Sequence, residues 1–221
     1  MKLSTAVSHI DNRLSARPFL IGLMLAYAAI WIWAAWDPVY RFDWFLENML
    51  TIVTIIVLAA SIRRLPLSDI SYLLLFLFLV LHAVGGHYTY SEVPLGFWLQ
   101  DAFGLSRNHF DRLVHFSFGF LLFYPMREII MRWVTRNSFQ AGLFAVCLNA
   151  TASGLFEIME MLVAITVSPE AGTAYLGTQG DVWDAQKDMA LAFGGSLIAL
   201  SLTELAVRTG MLDKYLVPAR D

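Results

Sequence analysis

The chain has 221 residues, 58% of them hydrophobic and only 15% charged, with a formal net charge of −3 and a mean hydropathy of +0.61. A soluble domain carries roughly 45–50% apolar and about 25% charged residues, so composition excludes that class and points to an integral membrane protein partnered by the lipid bilayer. The near-neutral charge offers no basic surface for nucleic acid. The single cysteine, Cys147, excludes an internal disulfide and a thiolate zinc site.

Taking ~20 apolar residues as enough to cross a bilayer, the chain reads as one all-α polytopic membrane bundle of about six helices. The first covers residues 18–36, with Pro18 at a first-turn position where its missing donor costs nothing. Its apolar run is too long for a signal peptide and ends in Trp31, Trp33 and Trp36 rather than small residues, so it is read as a retained helix. The second covers 44–62, with Glu47 near its start. The third, 69–86, follows Ser68 as N-cap and ends at Gly85 and Gly86. The fourth, fifth and sixth cover 111–133, 138–167 and 184–207.

Lysine and arginine set the expected orientation. Lys2, Arg13, Arg17, Arg63, Arg64, Arg127, Arg132, Arg136, Arg208, Lys214 and Arg220 fall on one side, and Arg41, Arg107, Arg112 and Lys187 on the other, eleven against four. Both termini are therefore expected in the cytoplasm. Trp36, Trp44, Trp98 and Trp183 fall near the ends expected outside, as an aromatic belt does.

Three pairs of ionisable residues interrupt the apolar helices: Asp111 with His115, Glu157 with Glu160, and Asp184 with Asp188. Spacings of three or four place both members of a pair on one helical face. The expected topology brings all three pairs to one depth on the outer side. Asp111 and Asp184 also suit helix N-termini, where a carboxylate stabilises the dipole by ~0.3–1 kcal/mol, and an Asp–His pair can be a structural hydrogen bond. Glu157 and Glu160 continue a polar line through Asn149 and Ser153. Two adjacent carboxylates at membrane depth need a cation, a shared proton, or a basic partner such as Arg107, Arg112 or Lys187.

A divalent metal, Mg²⁺, Mn²⁺, Fe²⁺ or Zn²⁺, would balance this acid. Its expected ligands are His115, Glu157, Glu160, Asp184 and Asp188. Asp111, Glu157 and Asp188 are the candidate catalytic groups, Asp111 orienting His115 and a spare carboxylate serving as base. His87, His109 and Asp181 are further candidates in the connections 86–110 and 168–183. The first of these is long enough to be a lid or substrate-binding loop, and the second is rich in glycine.

The order Asp111-Arg112-Leu113-Val114-His115-Phe116, then Glu157 to Glu160, then Gly180-Asp181-Val182-Trp183-Asp184 leading to Asp188 resembles the VanZ-like membrane proteins. Their pattern is Asp-Lys/Arg-x-x-His, Glu-x-x-Gln, and an Asp followed four residues later by Asn. The stretches His87-Tyr88-Thr89-Tyr90 and Gly177-Thr178-Gln179-Gly180-Asp181 are similar, more specifically, to the YjdF-type inner-membrane proteins of that group. The resemblance implies a bacterial inner-membrane helix bundle and an association with teicoplanin resistance, but no defined reaction. Here Glu160 stands in place of Gln and Asp188 in place of Asn. Each change adds an acid, and the arginine usual in the loop before Asp184 has no clear equivalent. Two functions follow as expectations: a metal-dependent hydrolase or transferase acting on a lipid or lipid-linked envelope substrate at the outer face, or a non-catalytic protein in which the acidic cluster couples protons or cations to transport or forms a structural polar network.

Overall fold

The computed structural model describes residues 17–61 and 67–212. Lys2, Arg13, Arg63, Arg64, Lys214 and Arg220, six of the eleven residues behind the expected orientation, lie outside the described residues.

The described residues form helices α1 (Pro18–Ala35), α2 (Arg41–Ser61), α3 (Asp69–Tyr88), α4 (Pro94–Phe103), α5 (Phe110–Trp133), α6 (Ser138–Thr166), α7 (Pro169–Leu176) and α8 (Asp184–Arg208), with a 3₁₀ turn at Tyr90–Glu92 and no strand. Six of them, α1, α2, α3, α5, α6 and α8, are long and apolar enough to cross a membrane. Helix α2 begins one turn before the expected residue 44 and so includes Asp43.

Neither connection over the proposed site is a plain loop. Pro94 and Pro169 occupy first-turn positions, where their fixed φ is already helical. Ser168 caps α7 by accepting a hydrogen bond from the Ala171 N–H at 3.3 Å. Gly104 and Gly177 then end α4 and α7 in the left-handed conformation.

Helix α5 is the centre of the bundle, packed against α3, α6 and α8, while α1 and α2 lie outside α3. Small residues let α5 and α8 approach closely: a Cβ on Gly119 would collide with the Ala192 carbonyl, and one on Gly195 with that of Phe116. Ser196 Oγ donates to the Gly119 carbonyl at 3.1 Å, and Asn149 Nδ2 donates to the same oxygen at 3.2 Å. The polar line of α6 is thus tied at Asn149 to the seam of α5 and α8. Below it, Phe123, Ala141, Ala145, Ala199 and Leu200 form the apolar core.

The C-terminal part of α5 carries a second polar network. Arg127, only 1% exposed, donates to Ser138 Oγ at 2.6 Å and lies 3.7 Å from Glu204 Oε1. Glu128 accepts from the Ser68 N–H at 2.9 Å, from Ser71 Oγ at 2.5 Å and from Arg132 at 2.6 Å. Arg127 is therefore a buried ion-pair member inside α5, not the loop charge the orientation count takes it for.

Candidate functional site

The first turns of α5 and α8 and the C-terminal half of α6 meet at the end of the bundle opposite the Arg127 network. Asp111 and His115 share one face of α5, with His115 Nε2 3.5 Å from Asp111 Oδ1. The same nitrogen lies 3.5 Å from Glu157 Oε1 of α6. Asp188 reaches in from α8, and one ligand atom each from Asp111, His115 and Asp188 all fall within 4.8 Å of one another. Asp188 is 2% exposed, yet its Oδ1 has no hydrogen-bond partner, and neither has Glu157 Oε1. Glu160 stands beside Glu157, the two carboxyl groups in hydrogen-bonding contact.

Asp184 belongs to a different environment. It accepts from Arg107, and Arg112 Nη2 lies 3.3 Å from the same oxygen. Arg107 is held in place by donating also to the Thr178 and Gly177 carbonyls at 2.8 and 3.3 Å. Asp181 accepts from Arg112, from Lys187 Nζ at 2.6 Å and from the Trp183 N–H at 3.1 Å. The Lys187 hydrogen bond, the Trp183 N–H and Arg112 hold the Asp181 carboxyl well below the usual carboxylate range.

His109 and His87 do not join the cluster. His109 precedes α5 and accepts from Arg112 Nη1 at 3.3 Å, and burial together with Arg112 and Arg107 pushes its imidazole below the ordinary value. His87 donates through Nδ1 to the Ala34 carbonyl at 3.0 Å and packs on Trp33. It fastens α3 to α1.

Four residues not expected at the site extend it. Asp43 and Glu47 of α2, with Tyr90 and Tyr175, line a cavity shared with Asp111 and Glu160. Asp43 and Glu47 are four residues apart, the same signal as the other pairs, but an assumed helix start at residue 44 hides it. Tyr90 Oη is 2.6 Å from His82 Nδ1, and burial and the nearby acids raise the Tyr90 and Tyr175 phenols, so both stay neutral.

One imidazole facing several carboxylates is the donor set of a borderline or hard divalent cation. The 3.5 Å separations are long for hydrogen bonds, but near the ~3.4 Å edge of a tetrahedron with metal–ligand bonds of about 2.1 Å. The orphaned Asp188 and Glu157 oxygens fit the same purpose.

Residues 19–209 match the family described as "Predicted membrane protein (DUF2238)". The chain is 37% identical over 185 residues to the inner membrane protein YjdF of Escherichia coli (strain K12), covering 83% of this chain and 85% of that protein. No solved structure matches. With the family match covering all six long apolar helices but for the first residue of α1, the chain belongs to the DUF2238 family of membrane proteins.

Proposed function

We propose that Asp111, His115 and Asp188, with Glu157, hold a divalent metal (Mg²⁺, Mn²⁺, Fe²⁺ or Zn²⁺), and that the protein is a metal-dependent hydrolase or transferase of the inner membrane, acting on a lipid or lipid-linked envelope substrate at the outer face. The observation that carries this reading is the convergence of one nitrogen and two carboxylate oxygens within 4.8 Å, one of those carboxylates buried with an unpartnered oxygen. Burying such charge uncompensated costs several kcal/mol. The two nearest arginines are committed to Asp184 and Asp181.

A metal there supplies Lewis acidity and an acidified water. Asp111 Oδ1 and His115 Nε2, 3.5 Å apart, would share the ion as neighbouring ligands. Glu157, supported by Glu160, is placed to take a proton. Asp184 serves in this reading as the anchor of the arginine pair rather than as a ligand. The bias of basic residues in the sequence supports the outer location, the name of the Escherichia coli relative supports the inner membrane, and the order of acids resembling the VanZ-like pattern agrees with an envelope substrate.

One observation favours a second reading. The contact of Glu157 with Glu160, adjoining Glu47, Tyr90 and His82, would also serve a proton relay in a transport protein.

Elemental analysis of protein purified in mild detergent without chelator separates the two. Stoichiometric metal in the wild type, lost in Asp188→Asn and Glu157→Gln, is expected. A wild type free of metal would overturn the enzyme reading and leave the relay.

A further inference from the structure

Beside the proposed metal centre lies the cavity lined by Asp43, Glu47, Thr89, Tyr90, Glu160 and Tyr175. Its walls follow from small residues. A Cβ on Gly85 would occupy the space of the Tyr90 ring, and Gly86 lies against Glu47, so the glycine pair ending α3 seats Tyr90 and brings α2 close. Thr89 takes a left-handed φ of 57°, a conformation that L side chains other than Asn and Asp rarely adopt and that tends to mark functional positions.

The hydrogen-bond polarity of the wall can be deduced. His82 Nε2 faces the Glu47 backbone carbonyl at 3.2 Å, which can only accept, so Nε2 carries the hydrogen. In the neutral ring Nδ1 is then an acceptor, and the Tyr90 hydroxyl donates to it at 2.6 Å. With its proton so committed, the Tyr90 oxygen offers the cavity only lone pairs. Its neighbour there is the Glu47 carboxyl, which is 5% exposed and whose Oε2 has no partner, as is also true of Thr89 Oγ1. No lysine or arginine lines this space among the described residues. Three carboxyl groups, those of Asp43, Glu47 and Glu160, thus share this space with no basic side chain among the lining residues, Glu47 Oε2 being buried without a partner, and the missing element is a compact, positively charged donor.

We infer that this cavity binds a primary ammonium group, held by Glu47, Glu160 and the Tyr90 oxygen, with the Tyr175 ring beside it. Three N–H donors match several acceptors at once, and aromatic faces attract such a cation. A second bare divalent ion suits the cavity less. Among the described residues only the Asp111–His115–Asp188 group draws together to metal-ligand distances, whereas N–H···O bonds span a longer range. The inference does not rest on the metal reading, although Asp111 lines both spaces and would set the amine next to that centre.

The ammonium group has two sources, a free amine or the headgroup of an aminophospholipid, and calorimetric titration of the full chain in detergent distinguishes them. Methylammonium and short-chain phosphatidylethanolamine are the probes, with tetramethylammonium and phosphatidylcholine of equal chain length as controls that lack N–H donors. Saturable binding of methylammonium alone assigns a free amine. Binding of both primary amines, with neither quaternary control competing, assigns the lipid. Either result is expected to weaken about tenfold or more in Glu47→Gln and in Tyr90→Phe, the latter keeping the ring that fills the Gly85 notch. Equal binding of the quaternary controls, no saturable binding of either amine, or undiminished binding in a folded variant of either kind would overturn the inference. The wild-type comparison decides it even where both variants fail to fold.

Discussion

Asp184 and Asp188 lie one turn apart on α8, yet Asp184 accepts from two arginines while Asp188 Oδ1 is buried with no partner. The contrast divides the acidic end of the bundle into a half neutralised by arginine and a half with no arginine or lysine ion pair among the described residues.

Asp188→Asn removes an unpaired buried charge. Thermal unfolding in detergent without metal should therefore show the variant as stable as the wild type or more so. Saturating metal should stabilise the wild type by RT ln(1 + [L]/Kd), about 2.7 kcal/mol at a hundredfold excess over Kd, and leave the variant unmoved.

Arg107→Ala has the opposite character. It leaves the buried Asp184 with Arg112 alone, at 3.3 Å, and should destabilise the protein by about 1.5–3 kcal/mol in a thermal unfolding measurement. Lys187→Ala should change little, because the Lys187 side chain is 49% exposed and its pair with Asp181 is screened by solvent.

Gly119→Ala and Gly195→Ala test whether helix packing positions the centre. Each new methyl meets backbone across the seam of α5 and α8, so a loss of about 1–3 kcal/mol is expected. Weaker metal binding should accompany it, since Asp111 and His115 move relative to Asp188. Gly194→Ala is the control, because nothing lies within 4 Å of its added carbon.

Two groups outside the spans give stability a pH dependence. The Asp181 carboxyl is depressed, so its contribution is present above the unfolded value of about 4 and is lost as pH falls through the folded one. The His109 imidazole is also depressed. The unfolded chain therefore binds that proton more readily, and stability falls as pH drops below about 6.5. Melting curves of His109→Gln should lose the step near 6.5 and keep the acid one, with Asp181→Asn showing the reverse.

The six long helices were legible because uncharged runs long enough to span a bilayer can hardly be anything else. The convergence of Asp111, His115, Glu157 and Asp188 was legible through their spacing and the alternation of helix direction. The partner of each acid was not. Asp184 and Asp188 share a helical face and differ only because Arg107 and Arg112 fold over the first of them, a long-range arrangement that spacing does not encode. Arg127 misled for the same reason, since a basic residue near a helix end looks like a headgroup contact until Glu204 and Ser138 are seen around it. Helices α4 and α7 were hidden by shortness, although Pro94 and Pro169 mark their starts.

Pulsed EPR of chelator-stripped protein reloaded with Mn²⁺ reports whether an imidazole nitrogen is bound to the ion. The account predicts a nitrogen coupling in the wild type that disappears in His115→Gln and persists in His87→Gln and His109→Gln. Bound Mn²⁺ without nitrogen coupling, or a coupling that survives in His115→Gln, would contradict a metal centre at Asp111, His115 and Asp188.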